Sequence, residues 1–171
     1  GLMLSCAPSC LIENSTLAGN RTEEANGGAF FFLSEGGTIA STTIADNFAG
    51  GHGGGIFGGK PELHNTVFVD NDTGNPWGQA RNCFETSEGH AVLQWRTESS
   101  DAGGDACLPE ADLLVADPRL TELGDHGGPT PTQQPQQGGG ALGVGSDCPA
   151  YDQRGEPRAK DACDLGAVEV P

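Results

Sequence analysis

Three aspartates lie where their spacing could bring oxygen ligands together. Asp46, Asp70 and Asp72 each flank an asparagine at corresponding places in two similar stretches of the chain. Ca²⁺ is held by about six to eight oxygen ligands, and two neighbouring turns could supply some of them. These three residues are therefore candidate Ca²⁺ ligands. A third similar stretch has Gly19 at the matching place, so solvated turn residues are the alternative.

Catalysis is the weaker interpretation of the other polar residues. Paired carboxylates about 5–10 Å apart would suit glycoside hydrolysis, but the spacing of the aspartates along the chain does not select such a pair. No catalytic residue is therefore predicted. The histidines show no HExxH motif and no consistent partner spacing, so they are interpreted as surface or turn residues. They are His52, His64, His90 and His126.

Two further features have both a chemical and a structural interpretation. Arg154 and Asp164 could form an ion pair across a loop near the C-terminus. We predict that this pair is structural rather than catalytic. Trp77 and Trp95 could stack on sugar rings if they are exposed, and packing against the protein is the alternative.

A nine-residue phrase occurs three times and must position these side chains. The copies cover residues 12–20, 39–47 and 63–71, with offsets of 27 and 24 residues. A second phrase, Gly-Gly followed by apolar residues, begins at Gly27 and Gly54, again 27 residues apart. Internal repetition on this scale indicates a solenoid, a propeller or an array.

The content of the repeat predicts an all-β, right-handed parallel β-helix. Thr, Val, Ile and Phe favour strands, Gly and Asn favour turns, and no helical periodicity is present. Equivalent residues of successive rungs should then lie above one another. We expect a ladder of side-chain amides at Asn20, Asn47 and Asn71. We also expect two apolar columns, formed by Ile12, Ile39 and Leu63 and by Leu17, Ile44 and Phe68.

The composition narrows the functional class. The 171 residues include 24 acidic and 8 basic side chains, for a net charge of −16, with 28 Gly and 11 Pro. One turn-rich domain is the natural interpretation. Nucleic-acid binding is disfavoured because it requires a basic face, and anionic membrane surfaces are unlikely partners for the same reason. No run of residues is long enough to span a bilayer.

Six cysteines, an even number without CxxC pairs, indicate disulfides rather than a zinc site. The preferred pairing, one of fifteen possible, is Cys6–Cys10, Cys83–Cys107 and Cys148–Cys163. Disulfides persist in oxidising compartments, so the protein is expected to be secreted or on the cell surface. The sequence shows no signal peptide and opens on Gly1, which we expect of a mature or trimmed product.

The two ends of the predicted solenoid differ. No amphipathic helix covers the apolar residues that begin at Leu2. An open rung is an unpaired edge, which proteins normally cover. Either further rungs precede this stretch, or another molecule closes that end. Other protein subunits, including copies of this chain, are the expected partners in the second case. Residues 127–140 are rich in Gly, Pro and Gln, and composition alone predicts a flexible linker there.

Two sets of motifs resemble known families. The Asn-Ser-Thr-Leu-Ala-Gly-Asn phrase at 14–20, with Gly-Gly-Ala-Phe at 27–30, resembles bacterial surface β-helices with polymorphic outer-membrane-type repeats. Four segments, residues 116–120, 127–132, 145–158 and 163–169, resemble the C-terminal signature of choice-of-anchor Q domain proteins. They include Asp152-Gln153-Arg154-Gly155 and Cys163-Asp164-Leu165-Gly166-Ala167. Residues 133–143 depart from the usual pattern of that family.

The resemblance implies how the chain is divided. Residues 1–115 would form the β-helix rungs, and residues 116–171 would wrap and cap the solenoid within the same domain. It also implies a secreted or surface-bound protein, in a family whose members rarely have an assigned activity. The leading hypothesis is an extracellular structural or adhesive subunit without catalysis. The alternative is a module that binds or cleaves polysaccharide with a Ca²⁺-assisted acidic groove.

Overall fold

The chain forms a parallel β-helix, which confirms the predicted fold class. The computed structural model describes residues 1–5, 9–77, 80–96 and 106–171. All pairings between its strands are parallel, and each joins a strand to its counterpart one rung away. A short 3-10 turn, Glu110–Asp112, precedes the last strand.

The strands are two to four residues long, so each rung is a series of short segments joined by tight turns. Three rungs contain four strands each, a fourth rung contains two strands, and one further strand lies beyond it. Rung 1 consists of β1 (Leu2–Leu4), β2 (Leu11–Glu13), β3 (Thr16–Ala18) and β4 (Arg21–Thr22); rung 2 of β5 (Phe30–Phe32), β6 (Thr38–Ala40), β7 (Thr43–Ala45) and β8 (Phe48–Ala49); rung 3 of β9 (Ile56–Phe57), β10 (Glu62–His64), β11 (Val67–Val69) and β12 (Asp72–Thr73); and the last strands are β13 (Gly89–His90), β14 (Val92–Trp95) and β15 (Leu113–Val115).

Stacking of the rungs produces four parallel sheets that run along the solenoid. Sheet A contains β1, β5 and β9, and sheet B contains β2, β6, β10 and β13. Sheet C contains β3, β7, β11, β14 and β15, and sheet D contains β4, β8 and β12. The first rung therefore supplies one terminal strand to every sheet.

Single left-handed residues bend the chain between sheets. Asn14, Ser41 and Asn65 have φ of 48°, 46° and 48° where sheet B passes into sheet C. The turns that follow sheet C need the same conformation. Gly, Asn and Asp tolerate this region best, which explains the exchange of Gly for Asp in the repeat. These turn residues are Gly19, Asp46 and Asp70, with φ of 66°, 57° and 50°.

Both predicted apolar columns are present. Ile12, Ile39 and Leu63 are aligned in sheet B. In sheet C, Leu17, Ile44 and Phe68 are aligned in the same way. Full burial of such side chains contributes about 1.5–3 kcal/mol each. The sheet C column continues into Gln94, which is fully buried and accepts a hydrogen bond of 2.6 Å from the Cys107 N–H.

Glycines at the corner after sheet D serve two purposes. Gly53 has φ of 69°, a conformation that favours glycine. Gly50 and Gly54 do not have positive φ, so the reason for glycine at these two positions is steric. A Cβ at Gly50 would collide with the Glu23 carbonyl, and one at Gly54 with the Asp72 carbonyl. These two glycines allow the backbones of adjacent rungs to approach.

Residues 116–171, which we call the strap, run along the flank of the solenoid at the turn between sheets B and C. Gly166 donates its N–H to the Asn65 carbonyl in rung 3, at 2.8 Å. Ala167 donates to Thr43 Oγ1 in rung 2, at 3.0 Å. In rung 1, Asn14 Nδ2 donates to the Tyr151 carbonyl at 2.8 Å. The strap therefore binds all three complete rungs.

Residues 127–140 are not the flexible linker that their composition alone would suggest. Thr132 is fully buried, and its backbone pairs with Gly124 in both directions at 2.9 and 3.0 Å. The Gly140 N–H donates to the Asp117 carbonyl at 2.8 Å. Hydrogen bonds within the strap fix the conformation here, and composition does not report such pairing.

Two disulfides fasten the later part of the chain. Cys83–Cys107 closes a separation of 24 residues, with Cα atoms 5.1 Å apart. Cys148–Cys163 closes one of 15 residues within the strap, with Cα atoms 6.5 Å apart. The third predicted pair, Cys6–Cys10, lies outside the described residues because Cys6 does.

Candidate functional site

Within the residues that the structure describes, the first rung lies at one end of all four sheets. Strands β1, β2, β3 and β4 each lie at the end of their sheet and pair with one neighbour, in rung 2. Within the described residues, no strand covers their outer edges. Each edge therefore presents backbone N–H and C=O groups that another strand could pair.

The apolar core is also less covered at this end. Leu4, Ile12 and Leu17 pack against the core but are only partly buried. Their neighbours in the same columns, Ile39 and Ile44, are fully buried. An isoleucine is therefore more exposed in the first rung than in the second, because no preceding rung covers its side chain within the described residues.

An apolar cavity of 410 Å³ adjoins this end. Leu2, Met3, Phe31 and Leu33 form much of its wall. Of these, Met3 and Leu33 are 66% and 60% exposed. Large apolar side chains grouped at an unpaired edge are typical of a contact surface.

An aromatic stripe extends from the cavity along the outer face of sheet A. Met3, Phe31 and Phe57 are aligned in successive rungs, and Phe84 follows through the bridge that joins Ile56 to Cys83. The rings of Phe31 and Phe57 stack with centroids 5.1 Å apart, and those of Phe57 and Phe84 with centroids 4.6 Å apart. Rings that stack on one another cover their own faces, so the stripe presents mainly ring edges outward.

The asparagine column forms a directional ladder. Asn47 Oδ1 accepts from the backbone N–H and Nδ2 of Asn20, at 3.0 and 2.9 Å. Asn71 Oδ1 accepts from the same two groups of Asn47, at 3.1 and 2.9 Å. Asn82 extends the column by accepting from Asn71 Nδ2 at 3.0 Å. At the open end, Asn20 Oδ1 has the Gly1 amine at 3.5 Å.

The three aspartates proposed as Ca²⁺ ligands do not form one cluster. Asp72 accepts from Arg81 Nε at 3.1 Å and has the Arg96 guanidinium at 4.0 Å. Asp46 and Asp70 line a different pocket, of 300 Å³, together with Gln133. Gln133 Nε2 donates to Asp46 Oδ2 at 3.4 Å. Among the described residues, no group of three or more His, Cys, Asp or Glu side chains could hold a metal ion.

The environment of Asp46 is consistent with a turn residue crowded by other acids. Desolvation by its neighbours raises the pKa of the Asp46 carboxyl, and the charges of Asp70 and Glu122 raise it further, while the hydrogen bond from Gln133 opposes them. Asp46 remains exposed, so solvent screens these interactions.

The predicted Arg154–Asp164 ion pair is wrong. Arg154 instead pairs with Asp152 at 2.9 Å and donates to the His126 carbonyl at 3.2 Å. Asp164 accepts the Gly143 and Val170 N–H groups, each at 2.8 Å. A cavity of 560 Å³ lies beside Arg154, but these bonds commit the guanidinium to holding the strap together.

Arg158 joins the strap to the first rung. Its side chain is fully buried, and Nη2 donates to the Gly166 carbonyl at 2.7 Å and to Asn14 Oδ1 at 3.1 Å. Nη1 lies 3.4 Å from Glu169 Oε2. Burial lowers the pKa of Arg158, and the carboxylates of Glu169, Asp152 and Asp164 oppose that change.

The pKa values of the two buried strap aspartates are shifted in opposite directions. Burial alone would raise the pKa of Asp152, but hydrogen bonds from the Glu169 N–H, the Arg154 side chain and the Glu156 N–H lower it overall. For Asp164, burial raises the pKa and outweighs its two backbone hydrogen bonds. Both pKa shifts therefore arise from burial and from hydrogen bonds that hold the strap together.

The two tryptophans occupy different environments. Trp77 is 72% exposed, whereas Trp95 is partly buried and packs against the core beside Ala141 and Leu165. Packing is therefore the role of Trp95. Trp77 is the tryptophan whose ring is available to a ligand.

Comparison of the chain with protein-family models, curated proteins and solved structures found no match. Among the described residues, no helix is both long enough and apolar enough to cross a membrane. The functional argument therefore rests on the fold and on the surfaces described above.

Proposed function

We propose that this protein is an extracellular structural or adhesive β-solenoid of the choice-of-anchor Q type, without catalytic activity, that docks protein subunits through its first rung. The observation that carries the proposal is the open edge of β1, β2, β3 and β4. Partly exposed core residues, Leu4, Ile12 and Leu17, lie directly behind it. Strand addition at such an edge is a common mode of protein recognition.

The docked subunit in this proposal is a second copy of the chain, stacked end to end. Sheet C begins at β3 and ends at β15, so each of these strands has one partner strand among the described residues. Leu114 and Val115 in β15 are 38% and 51% exposed. Because all strands are parallel, β15 of one copy can extend β3 of the next without reversing direction. Such a head-to-tail contact does not close on itself, and it generates a fibre.

The hydrogen bonds of the asparagine ladder support the same head-to-tail direction of stacking. Inside the solenoid, Asn47 Oδ1 accepts two hydrogen bonds from the rung before it. Asn20 Oδ1 is the corresponding acceptor at the open end. The Gly1 amine lies 3.5 Å from this oxygen, and in the stacked form a donor from the docked subunit takes the place of that contact.

Charge controls when stacking occurs. Each chain carries a net charge of −16, so copies repel one another at low ionic strength. At 1 M salt the Debye length falls to about 3 Å. Association is therefore expected to strengthen with salt, because the strand contacts persist while the repulsion is screened.

The proposed location is outside the cell. Cys83–Cys107 and Cys148–Cys163 are disulfide-bonded, and such bonds persist in oxidising compartments. Secretion or display on the cell surface fits both this chemistry and a role in assembly.

Sedimentation velocity in 0.05 M and 1 M NaCl tests the proposal. Wild-type protein is expected to form larger species at 1 M salt as its concentration rises. Met3→Lys combined with Leu11→Lys blocks the first rung, because both side chains are exposed, at 66% and 61%. Val115→Lys blocks the opposite end. Val144→Lys, in the strap and 46% exposed, is the matched control and should behave as wild type.

A mixing experiment separates this arrangement from other modes of association. Each blocked variant alone should remain a monomer, and an equimolar mixture of the two should form dimers and nothing larger. A wild-type protein that stays monomeric in 1 M NaCl contradicts end-to-end stacking. So does a double-lysine variant that associates as well as Val144→Lys.

Polysaccharide binding is the second candidate, and the exposure of Trp77 favours it. The aromatic stripe does not add to this case, because its rings cover one another's faces. Titration with oligosaccharides, followed by tryptophan fluorescence, should show a change that Trp77→Ala removes. An unchanged melting temperature in EDTA would argue against the Ca²⁺-assisted form of this candidate.

A further inference from the structure

Two histidines from neighbouring rungs meet on sheet B. His64 in β10 and His90 in β13 are aligned as parallel partners. Their Nδ1 atoms are 2.9 Å apart, and their ring centroids are 4.4 Å apart. The preceding residue in this column is Ala40, whose small side chain leaves the imidazoles uncrowded from that direction.

Glu62 sets the tautomer of His64. Its Oε1 lies 3.2 Å from His64 Nε2. A carboxylate accepts hydrogen bonds, so Nε2 carries the hydrogen and Nδ1 of the neutral ring keeps its lone pair. A carboxylate on the far nitrogen is also the usual partner of a metal-ligating histidine.

His90, like His64, can bind a shared ion through its Nδ1 atom. Its Nε2 is buried and has no hydrogen-bond partner in the described structure. Nδ1 is therefore the atom of this ring that can reach an ion shared with His64. In the metal-free protein, the Nδ1–H of His90 donates to His64 Nδ1. Metal binding requires this hydrogen to move to Nε2.

We propose that His64 and His90 form a binding site for a divalent late transition metal ion, with Cu²⁺ bound most tightly. Metal–imidazole bonds are about 2.0–2.1 Å long. Two nitrogens 2.9 Å apart, each at that distance from one ion, subtend ~90° at it. This angle suits adjacent positions in the tetragonal geometry of Cu²⁺ and Ni²⁺.

The remaining ligands of the site are water molecules. Among the described residues, no third His, Cys, Asp or Glu side chain completes the group. A site with two protein ligands is exchangeable rather than permanently filled. The net charge of −16 raises the local concentration of cations, and the two imidazoles then select for ions that prefer nitrogen.

Calorimetric titration with Cu²⁺ in the presence of excess Ca²⁺ tests this site. The Ca²⁺ occupies oxygen-only sites, so the remaining binding reports on nitrogen ligands. One tight site per chain is expected, with an electron paramagnetic resonance spectrum that shows two equivalent nitrogen ligands. His64→Ala and His90→Ala should each abolish that site. Glu62→Gln should weaken binding by about 10–100-fold.

The histidine variants are expected to fold. Ala40 occupies the same column one rung earlier, so alanine at residue 64 has a precedent in this structure. His52→Ala and His126→Ala are matched controls, and their Cu²⁺ affinity should equal that of wild type. Tight Cu²⁺ binding that survives both His64→Ala and His90→Ala, or binding that the excess Ca²⁺ removes, would overturn the proposal.

Discussion

The first rung and the two rungs that follow it share the same repeat, but their strands and core residues are covered to different extents. In rungs 2 and 3, strands have neighbours on both sides in sheets B and C, and core residues such as Ile39, Ile44 and Leu63 are fully buried. In rung 1, every strand has one neighbour and the equivalent residues are partly exposed. The comparison shows that position along the solenoid, rather than residue type, decides how deeply a side chain of the repeat is buried.

The strap makes this contrast sharper. It reaches rung 1 at Asn14 and Thr16, where Gln153 Oε1 accepts from Thr16 Oγ1 at 2.7 Å. The flank of the first rung is therefore fixed, while its outer edge is not. A rung that is anchored at one corner and open along its edge can accept a new strand without unfolding.

The largest effect is expected from removing the buried guanidinium that anchors the strap. Arg158→Met should lower the free energy of unfolding by about 3–5 kcal/mol, because Glu169 is left without its partner. Urea denaturation measures the change. Glu23→Gln, which removes an exposed pair with Arg21, is the control and should have little effect. Equal losses in the two variants would mean that the strap does not stabilise the solenoid.

Truncation along one column tests the difference between rungs directly. Ile39→Ala should cost about 2–5 kcal/mol, as for other buried aliphatic residues. Ile12→Ala removes the same atoms one rung earlier, and a smaller loss is expected because Ile12 is only partly buried. Denaturant midpoints for the two variants give the comparison. If their losses agree, rung 1 is covered in solution.

The asparagine ladder should show the same gradient at a smaller scale. Asn47→Ala leaves buried ladder partners unsatisfied on both sides, and should cost about 1–3 kcal/mol. Asn20→Ala removes the end of the ladder, which has a neighbouring rung on one side among the described residues, and a smaller loss is expected. Thermal unfolding of both variants, followed by circular dichroism, provides the test. A greater loss for Asn20→Ala would contradict the open-end description.

The smallest effects concern pH. The folded-state pKa of Asp152 is lowered, so its contribution to stability is present above its unfolded pKa of about 3.9 and is lost as the pH falls through the folded value. The pKa of Asp164 is raised, so its contribution is present at low pH and is lost as the pH rises through the folded value. Urea denaturation from pH 2.5 to 7 measures both dependences.

Substitution separates the two aspartates. The stability advantage of wild type over Asp152→Asn should grow as the pH rises, and its advantage over Asp164→Asn should shrink. Parallel pH dependences in the two variants would show that the two carboxyl groups do not have opposite environments.

The features that could be predicted from the sequence are the columns of residues that recur at the same offset in successive rungs. The apolar columns and the asparagine column follow from offsets of 27 and 24 residues. The same reasoning could have found the stripe, because Phe31, Phe57 and Phe84 are separated by 26 and 27 residues. It could also have found His64 and His90, which are 26 residues apart. The expectation that the histidines lack a partner spacing was therefore wrong.

Other features could not be found in this way. Asn82 joins the ladder only 11 residues after Asn71, because the chain returns to the column from an irregular loop. Arg154 pairs with Asp152 rather than Asp164 because the strap turns tightly between residues 151 and 157. Long-range packing of an irregular segment leaves no periodic pattern in the sequence.

The strap also fixes the number of rungs between its contacts on the solenoid. Repeat proteins commonly gain or lose units, because each unit contacts only its neighbours. Here Arg158 holds Asn14 in rung 1, while Gly166 holds Asn65 in rung 3. Inserting a rung between these points would separate them by a further ~4.8 Å, and the strap would need a matching insertion. Duplications between rungs 1 and 3 are therefore penalised, whereas rungs added outside this span leave both contacts intact.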